Sequence, residues 1–355
     1  MVKPYFEKEK QPHKVSAIQT DESKRKAEAA ISQLVQGIMA EGWRCIKREY
    51  KELQAVIPEG TLVEGNAPKN LEKNRYRRVV CYDHSRVQIE SERGESYINA
   101  NYVDGYNQPK AYIVTQGPLA RTVLDFWQMI WQQRVEHVVM LTKTVEGRVS
   151  KCCQYWAPKE GAVLIKPGFQ LKTLQVRACK SFTQSLLELT NVATGEQQLV
   201  THWHYLEWPD QGVTDSAAIL EFIEAVNEAR NGCTAPIIIH CSAGVGRAGT
   251  LVAIMNCLEE LRQQGTVNVA ANVRRIRQQR AYCITTVGQF ETIYRTIFEW
   301  AGRHLNLGPE TLAEVQSLCE AIRGKISHGT KGATTKKAVR HLGKAAGSLE
   351  HIREA

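Results

Sequence analysis

The sequence predicts an α+β domain spanning about 38–303, in which strands and helices fall largely in separate runs. Residues 152–208 alternate apolar and polar side chains, which is typical of antiparallel strands. Residues 220–230 instead carry apolar side chains at helical spacing. Three consecutive isoleucines at 237–239 form a short apolar run, which indicates a strand buried on both faces.

The remaining elements follow from the same patterns in chain order. A helical pattern covers 23–55, and a turn-rich connection follows over 58–70. Strands are predicted at 79–82 (VVCY), 97–103, 112–119 and 137–142, and helices at 122–133, 250–264, 267–279, 288–303 and 309–325. The last 50 residues differ in composition, because every charged residue from Arg323 to Lys344 is basic.

Composition limits the class of protein. A chain of 355 residues with 43% hydrophobic content can bury a large core, and its net charge of +9 is moderately basic. The N-terminus lacks the apolar segment of a signal peptide, and no apolar run approaches the ~18 residues of a membrane span. The ten cysteines are scattered without a CxxC pair, which predicts free thiols, no structural zinc and a cytoplasmic location.

Two extensions flank the predicted domain. Residues 1–37 are expected to form a polar, partly helical N-terminal extension, and 304–355 a basic, partly helical tail. Basic runs are usually solvated, so we expect no nucleic-acid partner, with contact to anionic surfaces as the alternative role of the tail.

The stretch PIIIHCSAGVGRAG (236–249) carries the clearest chemistry. A cysteine, Cys241, follows the buried strand, and a loop of small residues then leads through Arg247 into a helix. Backbone N–H groups of such a loop converge on an anion, and the same field favours the nucleophilic thiolate. The planar guanidinium of Arg247 can bind two phosphate oxygens at once. The stretch therefore predicts a site for a phosphate monoester.

Two other interpretations compete with a phosphate site. A cysteine in a strand-to-helix turn is often a small buried hydrophobe, and its glycines only form the turn. A nucleotide-binding loop would need Gly-Lys-Ser/Thr or GxGxxG, and neither occurs here. The combination of Cys241 and Arg247 around glycines favours the phosphate site.

Attack on a phosphate ester also requires an acid to protonate the leaving oxygen. Asp210 in WPDQG (208–212) lies between a proline and a glycine and suits this role, although such residues are often turn formers. Tyr76, flanked by arginines, could form the wall of an anionic aromatic pocket or serve in packing.

In these motifs the chain resembles the protein tyrosine phosphatases over nearly all of 38–303. The ordered set is KNRY (73–76), YINANYV (97–103), TQGP (115–118), DFWQMIW (125–131), KCCQYW (151–156), WPDQG (208–212) and HCSAGVGR (240–247). The resemblance implies the phosphatase fold, a central twisted mixed β-sheet flanked by helices. It also implies hydrolysis of phosphotyrosine in proteins during signal transduction, without a metal or cofactor.

The resemblance assigns a role to each matching residue. Cys241 would be the nucleophile and Asp210, on the loop of Trp208, the general acid and then base. Arg247 would hold the phosphoryl oxygens together with the backbone of Ser242, Ala243, Gly244, Val245 and Gly246. The supporting residues would be His240 beside the cysteine, Glu146 orienting Arg247, Lys151 near the Asp210 loop and Tyr76 stacked on the substrate ring.

Three departures from the family pattern matter. Ala248 replaces the usual Ser or Thr whose hydroxyl binds the cysteine sulfur, and Thr285 replaces the glutamine that positions the hydrolytic water. Gln289 matches a second glutamine and could partly substitute. These departures predict slow hydrolysis of a phosphocysteine intermediate. Arg78 stands where the family often has an Asp that grips the substrate backbone, which predicts a preference for acidic flanks.

Four function hypotheses follow. The first is a phosphatase that acts on tyrosine-phosphorylated proteins. The second is a module of the same fold that traps such proteins with negligible catalysis. A dual-specificity phosphatase is disfavoured by Tyr76, since those enzymes need a shallower pocket. A metallophosphatase is disfavoured because the sequence has no Asp/His cluster with ligand spacing.

Overall fold

The computed structural model describes residues 20–56, 59–91, 94–209, 212–230 and 232–328, with side chains described as far as 319. The helices are α1 (Asp21–Glu41), α2 (Arg44–Ala55), α3 (Val63–Asn66), α4 (Val123–Gln132), α5 (Ser216–Ala229), α6 (Arg247–Gln264), α7 (Val269–Gln279), α8 (Val287–His304) and α9 (Pro309–His328). Short 3₁₀ turns cover Pro68–Lys73 and Ala120–Thr122. The strands are β1 (Arg86–Gln88), β2 (Tyr97–Val103), β3 (Tyr112–Thr115), β4 (His137–Met140), β5 (Val145–Glu146), β6 (Val149–Ser150), β7 (Val163–Lys166), β8 (Phe169–Ala178), β9 (Phe182–Asn191), β10 (Gln197–Tyr205) and β11 (Ile237–His240).

One large mixed sheet organises the molecule. Its strand order is β1-β2-β3-β11-β4-β10-β9-β8-β7, and β5 and β6 form a separate hairpin. The pairs β3/β11, β11/β4 and β4/β10 are parallel, whereas the outer strands pair antiparallel. The carboxyl ends of four central strands therefore meet at one edge, where ligands of such sheets usually bind. The predicted α+β class with a central mixed sheet flanked by helices is confirmed.

Strand β11 lies in the middle of this sheet and is buried on both faces. Ile237 and Ile239 pack in the cluster formed with α1, α2 and α5–α9, whereas Ile238 packs in the opposite cluster formed with α4. Successive side chains of a strand point to opposite faces, so three apolar residues in a row need two covered faces. The predicted buried strand at 237–239 is confirmed.

Some sequence expectations about single elements are wrong. The VVCY stretch (79–82) forms no strand, although all four residues are buried. Its apolar side chains reflect burial of a loop beneath β2 and not strand pairing. The connection over 58–70 contains α3 and the start of a 3₁₀ turn. The helical pattern of 23–55 is broken at Gly42, whose φ of 67° ends α1.

The helices at both ends bear on the predicted domain limits. Helix α1 runs across position 38, and α9 begins after 303 and packs on α8 and α1. The limits at 38 and 303 stay predictions. The first 19 residues and the basic side chains of 323–344 lie outside the described residues. In the part of the chain that is described, no helix is both long and apolar enough to cross a membrane.

Candidate active site

Cys241 lies at the carboxyl end of β11, between the ends of β3 and β4. Its side chain is 4% exposed. The five residues that follow form a loop, and α6 begins at Arg247. The local fold is therefore the strand, cysteine, loop and helix that the sequence predicts.

The carbonyl groups of this loop all point away from its centre. Each one accepts a hydrogen bond from the surrounding protein. The pairs are Cys241 with His240 Nδ1 at 3.1 Å, Ser242 with Gly117 N at 2.9 Å, Ala243 with Arg280 Nη2 at 3.3 Å, Gly244 with Arg280 Nε at 2.6 Å, Val245 with Ile284 N at 3.0 Å and Gly246 with Thr250 N at 3.0 Å.

In a trans peptide the carbonyl and the following N–H point in opposite directions. Six outward carbonyls therefore direct the N–H groups of residues 242–247 towards the inside of the loop. Gly244 shows this directly, because its N–H donates to the Cys241 sulfur at 3.3 Å. Amide groups arranged in this way form an anion-binding concavity at the start of a helix.

Gly244 must be glycine for the loop to close. Its φ is 68°, and a Cβ atom there would lie 2.2 Å from the carbonyl oxygen of Thr115. Both the left-handed backbone and the close approach to β3 exclude a side chain.

Arg247 is held by an acidic residue of the β5–β6 hairpin. Its Nη1 and Nη2 donate to Glu146 Oε1 and Oε2 at 2.7 and 2.6 Å, and Nη1 also donates to the Leu141 carbonyl at 2.8 Å. The guanidinium is 4% exposed, so this bidentate pair fixes its plane beside the loop. The structure thus brings Glu146 to Arg247.

Tyr76 lies on the other side of the loop. Ser242 Oγ donates to the Lys151 carbonyl at 3.0 Å, so the Tyr76 hydroxyl donates to Ser242 Oγ, at 2.9 Å. Tyr76 is 37% exposed, and this hydrogen bond places it next to Ser242, the residue that follows Cys241. Lys151 is buried near both. Tyr76, Ser242 and Lys151 are therefore neighbours at one rim of the site.

His240 is neutral and orients the first peptide of the loop. Burial lowers the pKa of His240 to about 3. Its Nδ1–H donates to the Cys241 carbonyl, so Nε2 accepts from the Tyr155 hydroxyl at 2.7 Å. Tyr155 in turn accepts from His202 Nε2 at 2.8 Å. This chain of three buried side chains fixes the Cys241 carbonyl, and with it the direction of the Ser242 N–H.

The loop predicted to carry the general acid is described only at its flanks. Asp210 and Gln211 lie outside the described residues. Trp208 is 3% exposed and its Nε1 donates to the Gly212 carbonyl at 3.3 Å, which joins the two flanks. The tryptophan therefore anchors the base of this loop in the core.

The three departures from the family pattern have defined surroundings. Ala248 is fully buried and contributes only a methyl group to the first turn of α6. The hydroxyl and N–H of Thr285 donate to Gln289 Oε1 at 3.1 and 2.9 Å. A Cβ on Gly246 would lie 2.8 Å from Gln289 Nε2, so this amide faces the loop. Arg78 is exposed in a turn closed by the Val79 N–H and the Tyr76 carbonyl at 3.0 Å.

Arg280, Tyr155 and His202 contribute to the candidate site but were not predicted from the sequence. Each is buried, and each acts through contacts with residues far away in the chain. Tyr155 lies in the KCCQYW motif, which could have pointed to it. A buried arginine that binds carbonyl groups follows no spacing rule.

A group of potential metal ligands lies elsewhere. Ligand atoms of Glu136, His137 and Cys233 are all within 4.8 Å of one another. This group is at the start of β4, whereas the Cys241 loop is at the end of the parallel strands. His137 Nδ1 is already engaged as an acceptor for Trp203 Nε1 at 3.3 Å. The group therefore does not belong to the phosphate site.

Fold and site together define a class: α+β proteins that present a cysteine beneath converging amide N–H groups at the carboxyl edge of parallel strands. The chain belongs to the protein-tyrosine phosphatase family, whose family model matches residues 70–299. This confirms the resemblance inferred from the sequence motifs.

Individual relatives agree with that family. The chain is 40% identical over 291 residues to tyrosine-protein phosphatase non-receptor type 9 of Mus musculus, covering 77% of this chain and 49% of that protein. It is 42% identical over 240 residues to tyrosine-protein phosphatase non-receptor type 2 of Mus musculus, covering 66% and 58%. It is 40% identical over 277 residues to receptor-type tyrosine-protein phosphatase zeta of Rattus norvegicus, covering 73% and 12%. The chain thus spans less than two thirds of the length of these relatives.

Proposed function

We propose that this protein hydrolyses phosphotyrosine in proteins through a phosphocysteine intermediate. The observation that carries the proposal is the position of the Cys241 sulfur beneath the inward-facing N–H groups of residues 242–247. These groups and Arg247 offer positive potential to a phosphate dianion without a metal ion. Family membership supports the same reaction class.

The proposed chemistry has two steps. The Cys241 thiolate attacks phosphorus, the bond from phosphorus to the tyrosine oxygen breaks, and Asp210 donates its proton to that oxygen. A water molecule then attacks phosphorus while the Asp210 carboxylate accepts its proton. The bond from sulfur to phosphorus breaks, its electron pair returns to sulfur, and inorganic phosphate leaves.

Substrate choice is proposed to depend on the rim of the site. The Tyr76 ring, fixed at its hydroxyl by Ser242, suits stacking on a phenyl ring and favours phosphotyrosine over the shorter phosphoserine. Arg77 and Arg78 occupy the exposed corner of the turn that follows, and neither forms an ion pair among the described residues. Acidic residues beside the phosphotyrosine should therefore raise kcat/KM. Equal kcat/KM on matched acidic and basic phosphopeptides would contradict this preference.

Hydrolysis of the phosphocysteine intermediate is proposed to be the slow step. Ala248 supplies no hydroxyl to the departing sulfur, and Thr285 binds Gln289 instead of holding water itself. We assign the positioning of water to Gln289, whose Nε2 faces Gly246. The second candidate function, a phosphotyrosine-protein trap or scaffold, is favoured by the same two residues and differs only in the absence of turnover.

The cellular setting is also part of the proposal. All ten cysteines are free thiols, which supports a reducing compartment such as the cytoplasm and a role in signal transduction. We propose the limits 38–303 for the catalytic domain, with flanking extensions whose helices α1 and α9 pack against it. For the basic tail we propose contact with anionic surfaces.

The deciding experiment is hydrolysis of p-nitrophenyl phosphate by the full chain. Cys241→Ser should reduce kcat on the order of a thousandfold or more, because it removes the nucleophile. The matched control is Cys257→Ser, which alters a fully buried cysteine of α6 outside the site. If wild type and Cys241→Ser are indistinguishable, the proposed chemistry is wrong. If one labelled phosphate becomes bound to Cys241 and no further substrate is turned over, the protein is the phosphotyrosine-protein trap.

A further inference from the structure

Arg280, the residue directly after α7, is fully buried beneath the phosphate loop. Its Nε and Nη2 donate to the carbonyls of Gly244 and Ala243 at 2.6 and 3.3 Å. The opposite edge of the guanidinium donates to two side chains of β2. Nη1 binds Asn101 Oδ1 at 2.8 Å, and Nη2 binds Asn99 Oδ1 at 3.1 Å.

This buried cation has no carboxylate partner among the described residues. Burial of an unpaired charge costs free energy. A fold that retains a buried, unpaired arginine is therefore expected to use its charge. The neighbouring thiols of Cys283 and Cys81 do not supply the missing anion, because burial raises the pKa of Cys283 to about 12 and raises that of Cys81 as well. The anions that can reach this cation are the Cys241 thiolate and a phosphate bound in the loop.

The contacts of Arg280 reach the sulfur through one peptide unit. The Ala243 carbonyl that it binds and the Gly244 N–H belong to the same planar peptide. That N–H donates to the Cys241 sulfur at 3.3 Å. A cation on the carbonyl side polarises the peptide and strengthens its N–H as a donor. The strength of this N–H donor matters more here because Ala248 has no hydroxyl to offer the sulfur.

The asparagines extend this network to the wall of the pocket. Asn99 Nδ2 donates to the Val79 carbonyl at 2.7 Å and to Asn74 Oδ1 at 2.9 Å. Both partners flank the turn that carries Tyr76. Arg280 therefore links the phosphate loop to the substrate-stacking wall through Asn99.

We propose that Arg280 is a positioning residue of the reaction, which turns the Ala243–Gly244 and Gly244–Val245 peptides towards the phosphate and places a fixed positive charge beneath Cys241. This inference rests on the proposed function, because it assigns a role within the same site. Arg280 touches neither substrate nor the reacting atoms.

The test compares Arg280→Lys with Arg262→Lys in the full chain. Arg262 is the control, since it is also a buried arginine, 5% exposed, but lies in the last turn of α6 and pairs with Glu259 at 3.6 Å. Two readouts need no turnover. They are the rate of Cys241 alkylation by iodoacetate at a fixed pH and the inhibition constant or dissociation constant of inorganic phosphate.

Arg280→Lys should slow alkylation of Cys241 and weaken phosphate binding on the order of tenfold, because lysine offers one point donor in place of a fork. Arg262→Lys should lower the melting temperature without moving either readout. If both variants lose stability and neither readout moves in Arg280→Lys, the role is only structural and the proposal is wrong. Should Arg280→Lys fail to fold, Asn99→Ala should give a smaller shift in the same direction, and no shift would overturn the proposal.

Both readouts remain valid if the protein does not turn over. Failure of the proposed function, seen as absence of hydrolysis, is therefore distinguishable from failure of this inference.

Discussion

Ala248 is the residue on which the proposed slow hydrolysis of the phosphocysteine intermediate most depends. The residue is fully buried in the first turn of α6, directly after Arg247. Within the described residues, the donor that reaches the Cys241 sulfur is the Gly244 N–H at 3.3 Å. A sulfur that departs as a thiolate is stabilised by the hydrogen bonds it accepts, so a missing hydroxyl slows departure more than attack.

We predict that Ala248→Ser raises the rate of phosphocysteine hydrolysis on the order of tenfold. A hydroxyl there would donate to the departing sulfur, and one hydrogen bond to a charged group is worth about 1.5–3 kcal/mol. Rapid-quench labelling with a phosphotyrosine peptide measures both steps. Wild type should accumulate phosphate on Cys241, and the variant should accumulate less. Ala253→Ser, a buried change further along α6, serves as the control and should not speed release. An unchanged burst in Ala248→Ser would count against a role for this position.

Helix α1 lies outside the region that the family model matches but packs against it. It precedes the matched region of 70–299, yet it buries one face against α6. The buried side chains of that face are Ala27, Ile31, Val35 and Ile38. Gly265, with a φ of 69°, ends α6 so close to α1 that a Cβ there would lie 2.4 Å from the Ser23 carbonyl oxygen. The two helices therefore share one core.

We predict that Ile31→Ala lowers the free energy of unfolding by about 2–5 kcal/mol, because it leaves a cavity between packed helices. Urea denaturation followed by tryptophan fluorescence measures this loss. The control is Gln36→Ala on the exposed face of α1, which should change stability by less than about 0.5 kcal/mol. If Ile31→Ala matches the control, α1 is an independent extension and the domain limit near 38 gains support.

At the scale of the whole molecule, three of the histidines in the described part of the chain are buried in the neutral form. Burial lowers the pKa of His137 to about 4, of His240 to about 3 and of His202 well below its ordinary value. The unfolded chain titrates these groups near pH 6.5. Below that pH the unfolded state binds protons that the folded state does not, so stability falls as pH falls.

We predict a loss of about 1.4 kcal/mol for each of these histidines between pH 7.5 and pH 5.5, or about 4 kcal/mol together. The measurement is the free energy of unfolding in urea at a series of pH values at constant ionic strength. His137→Gln should reduce the dependence on pH by about one third. A flat profile between pH 7.5 and pH 5.5 would contradict the buried neutral state.

Some parts of the candidate site can be predicted from the sequence and others cannot. Cys241, the loop and Arg247 were predictable, because strand, loop and helix are adjacent in the chain and their chemistry depends on local order. The contact between Glu146 and Arg247 was expected only from the family resemblance. The VVCY segment was mistaken for a strand, since apolar content reports burial and not pairing.

The sequence by itself determined the α+β class, the position of the central buried strand and the residues proposed to bind phosphate. Only the tertiary structure decided which way the peptides of that loop face. Their carbonyls bind Gly117, Arg280 and Ile284, which are distant in the chain and come together only when the sheet and helices are packed. The physical reason is that a hydrogen bond depends on direction in space, which neighbouring residues alone do not fix.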